Sequence, residues 1–389
     1  MKRLDVNNLK IMGLTLAQWI PSVLGSLLRR TTKPIHILFC MVDHYEPGHG
    51  LDSPELEQAR VRRLLVEYPR LAMRHRDCKG RHPTRTWFFP PHYHRLGNLR
   101  NLVSLCEQGY GEIELHLHHG KCQPDNPGNL QATLIGCVQE YARFGIFGTR
   151  NGTKRYAFVH GDWALDNSRG GHFCGVNNEL QILNQTGCYA DFTFPSCNEA
   201  NPFRINSIFY ATDHPRKPKS YNTGIAVRRG GSEVGDLMLV QGPLFPFPMK
   251  SMPWLRYFGG EINGRPMVTQ DRIRAWVQTA IHIRGKAEWV IIKTHTHGAM
   301  YPDAVLGTEM DEIFNELESL YNDGTRFLLH YVTARELFNI IKAVEADEPG
   351  SDPDEYRDYF IEPPRYDSSP NIFSASEPLQ ALIRQTYRG

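Results

Sequence analysis

The sequence lacks most of the short signatures that would settle a function class. It has no GxSxG elbow, so the exposed serine nucleophile of the α/β-hydrolase kind has no place. It has no GxxxxGK[ST] loop, and no GxGxxG between a strand and a helix, which removes the usual phosphate and dinucleotide cradles. Gly170-Gly171 follows no strand and reads as a turn. None of the eight cysteines (Cys40, Cys78, Cys106, Cys122, Cys137, Cys174, Cys188 and Cys197) belongs to a CxxC pair, so their spacing spells no thiolate metal site. A chain of 389 residues needs no disulfide staples, and buried free thiols in a reducing compartment are expected. The sequon at Asn151 is then without consequence. Charge of one sign is missing too: 44 Lys and Arg against 42 Asp and Glu leave +2, which gives no field for nucleic acid. There is no repeat and no low-complexity tract.

Long apolar runs are scarce as well. Residues 11–28 carry no charge, but Pro21 interrupts them and no small-residue cleavage site follows. Neither a cleaved leader nor a true span is expected. Thr15, Gln18, Ser22 and Ser26 fall on one helical stripe, with Leu16, Ile20, Val23, Leu24 and Leu27 opposite. This amphipathic helix either packs on the domain or lies in a membrane interface beside Lys10, Arg29 and Arg30. The expected address is the cytoplasm, with peripheral membrane contact through residues 11–28 as the alternative.

What is present is a regular alternation. Apolar runs at 35–42, 86–89, 111–116, 156–159, 189–192, 237–240, 289–292 and 327–331 read as strands. Between them, 54–75, 96–107, 130–147, 178–184, 271–283 and 307–322 read as helices, and a last helix at 333–345 opens on a Thr333/Glu336 capping box. Strands alternating with helices predict an α/β fold around a parallel sheet. From Asp347 onward the text turns to Asp, Glu, Pro and Ser, so 347–389 is expected to be a polar tail or a loosely docked arm.

The informative excess is histidine, with seventeen in all. They gather where strands end: Asp43-His44, His92 and His94, His116-Leu-His118-His119, His160-Gly-Asp162, and Thr294-His295-Thr-His297. C-terminal strand ends are where an α/β barrel assembles its active site. One such histidine is most often just a satisfied polar residue. Residues i and i+2 of a strand share a face, however, so His116 and His118 can converge on one ion, as can His295 and His297. Two such pairs, with Asp43-His44 at a third strand end, point to a metal centre. Imidazoles with one carboxylate suit zinc, and also iron, cobalt or nickel.

In chain order these stretches resemble the polysaccharide deacetylases of the NodB-like family. Met41-Val-Asp43-His44-Tyr-Glu-Pro47 resembles the family's Thr-Phe-Asp-Asp-Gly-Pro motif, and Glu112-Ile-Glu-Leu-His116-Leu-His118-His119 its histidine-ended strand. Val159-His-Gly-Asp162-Trp163-Ala-Leu-Asp166-Asn167, Asp191-Phe-Thr-Phe194-Pro195 and Val290-Ile-Ile-Lys-Thr-His295-Thr-His297 resemble the later motifs, and the stretch from Leu329 to Glu336 the closing segment. Two positions depart from the pattern: His44 stands where the family has a second aspartate, and HxHH replaces HxxxH.

The resemblance implies a distorted (β/α) barrel, seven-stranded, forming one main domain over 34–346 behind an N-terminal helix at 1–33. It implies a divalent metal, zinc first, held by Asp43, His44, His116 and His118. Asp43 would be the general base, and His295 or His297 the proton donor. His92, Asp162, Trp163, Asp166 and Asp191 would line the carbohydrate. The implied reaction removes N- or O-linked acetyl groups from a carbohydrate or polysaccharide. Two alternatives stand beside it: a catalytically silent carbohydrate-binding or scaffold protein, suggested by His44, and a glycoside hydrolase using Asp162 and Asp166.

Overall fold

The computed structural model describes residues 10–11, 14–27, 33–51, 53–93, 96–196, 198–248, 255–265, 267–370 and 379–381; His94 and Cys197 lie outside them. One mixed sheet dominates. Its strands are β1 (Ile35–His44), β2 (Arg85–Phe89), β3 (Gly111–Leu117), β4 (Gly148–Arg150), β5 (Thr153–His160), β6 (Cys188–Asp191), β7 (Ile208–Ala211), β8 (Gly224–Ala226), β9 (Leu237–Val240), β10 (Trp289–Thr296) and β11 (Phe327–Val332). The order is β8-β7-β9-β6-β5-β3-β2-β1-β10, with β4 paired to β5 and β11 to β1. The run from β9 through β6, β5, β3, β2, β1 and β10 is parallel, and beyond it β7 attaches antiparallel to β9 and β8 antiparallel to β7. All eight strands expected from the sequence are among these.

Helices α1 (Leu16–Leu27), α2 (Pro54–Ala72), α3 (Leu96–Glu107), α4 (Pro127–Ala142), α5 (Glu179–Gln185), α6 (Gln270–Gln278), α7 (Pro302–Leu306), α8 (Thr308–Tyr321) and α9 (Ala334–Glu345) accompany the sheet, with two small antiparallel pairs, Lys10–Ile11 with Leu14–Thr15 and Leu244–Pro248 with Leu255–Gly259. Strand alternation sorts the core into two bodies. Ile37, Phe39 and Met41 of β1 and Val290 and Ile292 of β10 pack against apolar residues of α2 to α6 and α8. Their neighbours Leu38, Cys40, Val42, Trp289 and Ile291 face the other way, where Leu337, Phe338, Ile340, Ile341 and Val344 of α9 meet them. The Thr333/Glu336 capping box is present, and α9 is buried along almost its whole length.

The seven-stranded closed barrel is not what the ladders form: the sheet has eleven strands and two ends. The edge of β10 is met by irregular backbone instead of a strand, with the His295 N–H donating to Gly260 O (2.8 Å) and the Ile262 N–H to His295 O (2.9 Å). On β1, residues 35–40 pair with β11 and 41–44 with β2, while β10 runs along 36–43. β11 and β2 therefore follow one another along a single edge of β1.

Of the two readings of the C-terminal segment, residues 353–367 follow the docked arm, held more tightly than expected. Arg335 donates to Asp358 and to the carbonyls of Arg357 and Ile361, Asn339 caps those same carbonyls, and the Tyr366 hydroxyl accepts from the Ile113 N–H. Ile361 is 1% exposed and Arg357 5%. Composition misleads here because Asp354 and Arg357 pair inward with His330 of β11 and Glu336 of α9, while the other charges of the segment stay at the surface.

At the N-terminus, α1 packs with its polar stripe inward: Gln18 donates to Pro202 O (3.2 Å), and Asn206 donates to Ser22 Oγ (2.7 Å). Trp19 and Leu14 join Ile205 and Leu244 in a small core, while Ile20 is half exposed. The side chains of Leu16, Val23, Leu24, Ser26 and Leu27 lie outside the described residues. Among the described residues no helix is long and apolar enough to cross a membrane.

Candidate metal centre

The two core bodies decide which strand-end residues can meet. Val42 and His44 belong to the α9 side of β1, and Met41 and Asp43 to the helical side. Beyond His44 the chain stays extended for one more step, with the Tyr45 N–H donating to Phe88 O (2.9 Å). Glu46 thus follows His44 onto the same side. His116 stands on the corresponding face of β3, and His118 follows it just past the strand. From β10, His297 arrives by the same alternation as Trp289 and Ile291.

These side chains converge. His118 Nε2 is 3.1 Å from His116 Nε2 and 3.1 Å from Glu46 Oε1, and His116 Nε2 is 3.9 Å from the same oxygen. His297 Nε2 lies 3.6 Å from Glu46 Oε2. The His44 ring is 4.8 Å from that of His116 and 4.6 Å from that of His297. Ligand atoms held about 2.0–2.2 Å from one tetrahedral ion sit roughly 3.3–3.6 Å apart, and the spacings here bracket that range. The outer nitrogens are occupied: His116 Nδ1 donates to Val159 O (2.9 Å) and His118 Nδ1 to Asp162 Oδ2 (2.8 Å). Both Nε2 atoms are thereby turned toward Glu46, as in metal sites whose histidines are oriented from behind. Gly161 makes the approach feasible, because a Cβ there would lie 2.3 Å from His118 Nδ1.

For His116 and His44 the electrostatics fit the same use. Burial, with His118 next, holds the His116 pKa down to about 3, and burial with the neighbouring imidazoles pushes His44 far below its ordinary value. These rings are neutral lone-pair donors. Burial opposes charge on His118 too, but Asp162 and Glu46 outweigh it and raise that imidazole to about 9. Burial would raise Glu46, yet the hydrogen bond from His118 and the surrounding rings hold its carboxyl well below the carboxylate range.

Asp43 is not part of this group. Its carboxylate accepts from Arg85 (3.0 Å) and from the Gly298 N–H (2.8 Å), with both Asp43 and Arg85 at 0% exposure. A one-residue step along a strand reverses the face, so Asp43 and His44 cannot both serve as ligands, nor can Asp43 reach the cluster as base. No protein-family model and no curated protein matches this chain.

The other expected residues divide. His92 stacks edge-on to His118 at 5.4 Å, Asp162 orients His118, and the adjoining Trp163 is half-buried. His295 sits deeper, 6.4 Å from the His44 ring, where burial and Lys293 push its pKa far down. Asp166 is buried elsewhere, accepting from Ser220 Oγ (2.6 Å). Asp191 is buried too, accepting from the Thr193 hydroxyl (2.6 Å). Neither reaches the histidines. The residue missed in sequence was Glu46, although it stands two positions after His44 and the i, i+2 rule applies to it directly.

Proposed function

We propose that the chain is a metal-dependent hydrolase that removes an acyl group from a carbohydrate. The observation carrying this is the convergence of Glu46, His116 and His118 with His44 and His297 at the ends of three strands. A divalent metal held there supplies Lewis acidity toward an acyl oxygen and lowers the pKa of water. The chain's own residues do the rest. Asp162 and Val159 O fix the His118 and His116 rings. His297, whose side chain is 23% exposed against 4% for Glu46, is the imidazole best placed to pass a proton to a departing group. Asp162 lies on the side of the His118 ring away from the cluster, so Glu46 is the carboxylate left to take the part expected of Asp43.

The carbohydrate class rests on the ordered resemblance to NodB-like deacetylases, as does reading the sheet as a barrel relative in which the backbone at 260–262 replaces a closing strand. His44 alone had suggested a silent protein, but Glu46 supplies the carboxylate on the same face. Glycoside hydrolysis by Asp162 and Asp166 loses its support, because Asp166 is buried against Ser220. The test is metal content and acetate release from acetylated oligosaccharides, for the wild type and Glu46→Gln. Release that needs metal and falls at least 100-fold in Glu46→Gln is expected. Glycan binding without release, or release unaffected by chelation, refutes the reading.

A further inference from the structure

A second convergence of ligand-type side chains lies on the opposite side of the sheet. His160 ends β5 on the face of Tyr156 and Phe158, which packs against the outer helices. His119 follows β3, Cys174 sits in the irregular segment after β5, and Glu179 opens α5. All four are at most 1% exposed. His119 Nε2 is 2.9 Å from Glu179 Oε1 and 2.9 Å from His160 Nε2, which is itself 3.4 Å from Glu179 Oε1. Cys174 Sγ is 3.4 Å from Glu179 Oε2, and one ligand atom from each residue lies within 4.8 Å of all the others.

Each imidazole is held from behind. His160 Nδ1 faces the Gly161 carbonyl (2.6 Å), which can only accept, so that nitrogen carries the proton and Nε2 is a lone pair. His119 Nδ1 donates to Asp125 Oδ2 (2.9 Å), the carboxylate–histidine arrangement common behind metal ligands. The sulfur of Cys174 accepts from the backbone N–H groups of Asn167 (3.3 Å) and Val176 (3.4 Å) and directs its own S–H at Glu179 Oε2 (3.4 Å), a proton that a bound ion would displace. Two carboxylates, the buried Glu179 and the half-buried Asp125, flank His119, and among the described residues neither lysine nor arginine joins it in pairing with them. One imidazole facing two carboxylates, a thiol and a second imidazole leaves more donor atoms than positive charge to hold them, a deficit that a cation among them would make up.

We infer that His119, His160, Cys174 and Glu179 form a closed structural site for a single zinc-type ion, separate from the Glu46 centre. Two nitrogens, one sulfur and one oxygen make a full tetrahedral set, and complete burial leaves no position for a substrate. The ion joins the ends of two strands to α5 across a segment rich in left-handed residues: Asp162, Trp163, Asp166, Asn167 and Phe173. Closing a long irregular loop is where a metal clip contributes most. Because Asp162 belongs to that segment, the clip also fixes the carboxylate that orients His118.

The inference does not depend on the reaction proposed above, and its test reads metal directly. The full chain, purified without added chelator, is expected to carry an ion whose X-ray absorption shows one sulfur scatterer at about 2.3 Å. Cys174→Ala should abolish that scatterer and lower metal content by about one equivalent, whereas His116→Ala should lower metal content and leave the scatterer in place. Should Cys174→Ala fail to fold, cobalt substitution of the wild type replaces it, and a thiolate-to-cobalt charge-transfer band is expected. Wild-type protein without a sulfur-ligated metal, or cobalt protein without that band, overturns the inference and leaves a proton shared among the imidazoles as the buried cation.

Discussion

Asp43→Asn separates the sequence-based role of this residue from the one its position supports. The substitution keeps the shape of the side chain and removes its charge. Arg85 then stays fully buried with no carboxylate, retaining a hydrogen bond to Val305 O (2.5 Å) and the faces of Tyr68 and Trp87 at 4.2 and 5.3 Å. Burial dominates the Asp43 environment enough to lift its carboxyl to about 6 despite Arg85 and Gly298, so the intact pair adds little net stability. Breaking it is different, because an unpaired buried guanidinium costs about 3–5 kcal/mol. An unfolding entropy near 2.1 cal/mol/K for each of 389 residues gives about 0.8 kcal/mol/K, so the melting temperature should fall by about 4–6 °C. Metal stoichiometry at the Glu46 centre should not change. Differential scanning calorimetry and metal analysis on the same preparation give both readings. An Asp43→Asn protein that melts like the wild type but loses metal would show that Asp43 is a ligand after all, and the face argument would fall.

Three further outcomes follow from particular contacts. Gly161→Ala places a methyl group 2.3 Å from His118 Nδ1 and should weaken metal binding at the Glu46 centre by about 10–100-fold, read by chelator competition. Ending the chain at residue 352 strips Asn339 and Arg335 of buried partners and should cost about 3 kcal/mol or more in denaturant unfolding; a loss under 1 kcal/mol would restore the polar-tail reading. Within that segment, burial would raise the Asp354 carboxyl, but His330 and Arg357 outweigh it and hold its pKa well below 3.8. The folded state therefore favours the ionised form. Its stabilising contribution is complete above pH 4 and fades as pH falls through that window, so amides 353–367 should lose exchange protection there before the core does.

Residues 11–28 carry the remaining expectation, a peripheral membrane contact. Gln18 and Ser22 bond to the body of the protein while Ile20 is 51% exposed, so a lipid contact, if made, would use a face of the helix other than the packed one. Co-sedimentation of the full chain with anionic vesicles should drop several-fold in Ile20→Asp. Equal sedimentation of the two proteins would leave α1 a packing element only.

Local physics was legible from the sequence alone. The eight principal strands, the boundaries of α3, the capping box of α9 and the gathering of histidines at strand ends all follow from periodicity and from residues within a few positions of one another. The same rule reached half of the candidate site, since His116 and His118 share a face by spacing. What it could not supply was absolute orientation. Alternation says that Asp43 and His44 point apart, but only the packing of α9 on one side and α2 to α6 with α8 on the other determines which of them faces His116. Likewise, Cys174 and Glu179 look like a core thiol and a helix-start acid until β3 and β5 bring His119 and His160 beside them. The docked segment 353–367 reads as solvated tail for the same reason. Its charges find partners more than twenty residues back along the chain, and only the assembled tertiary structure brings those partners within reach.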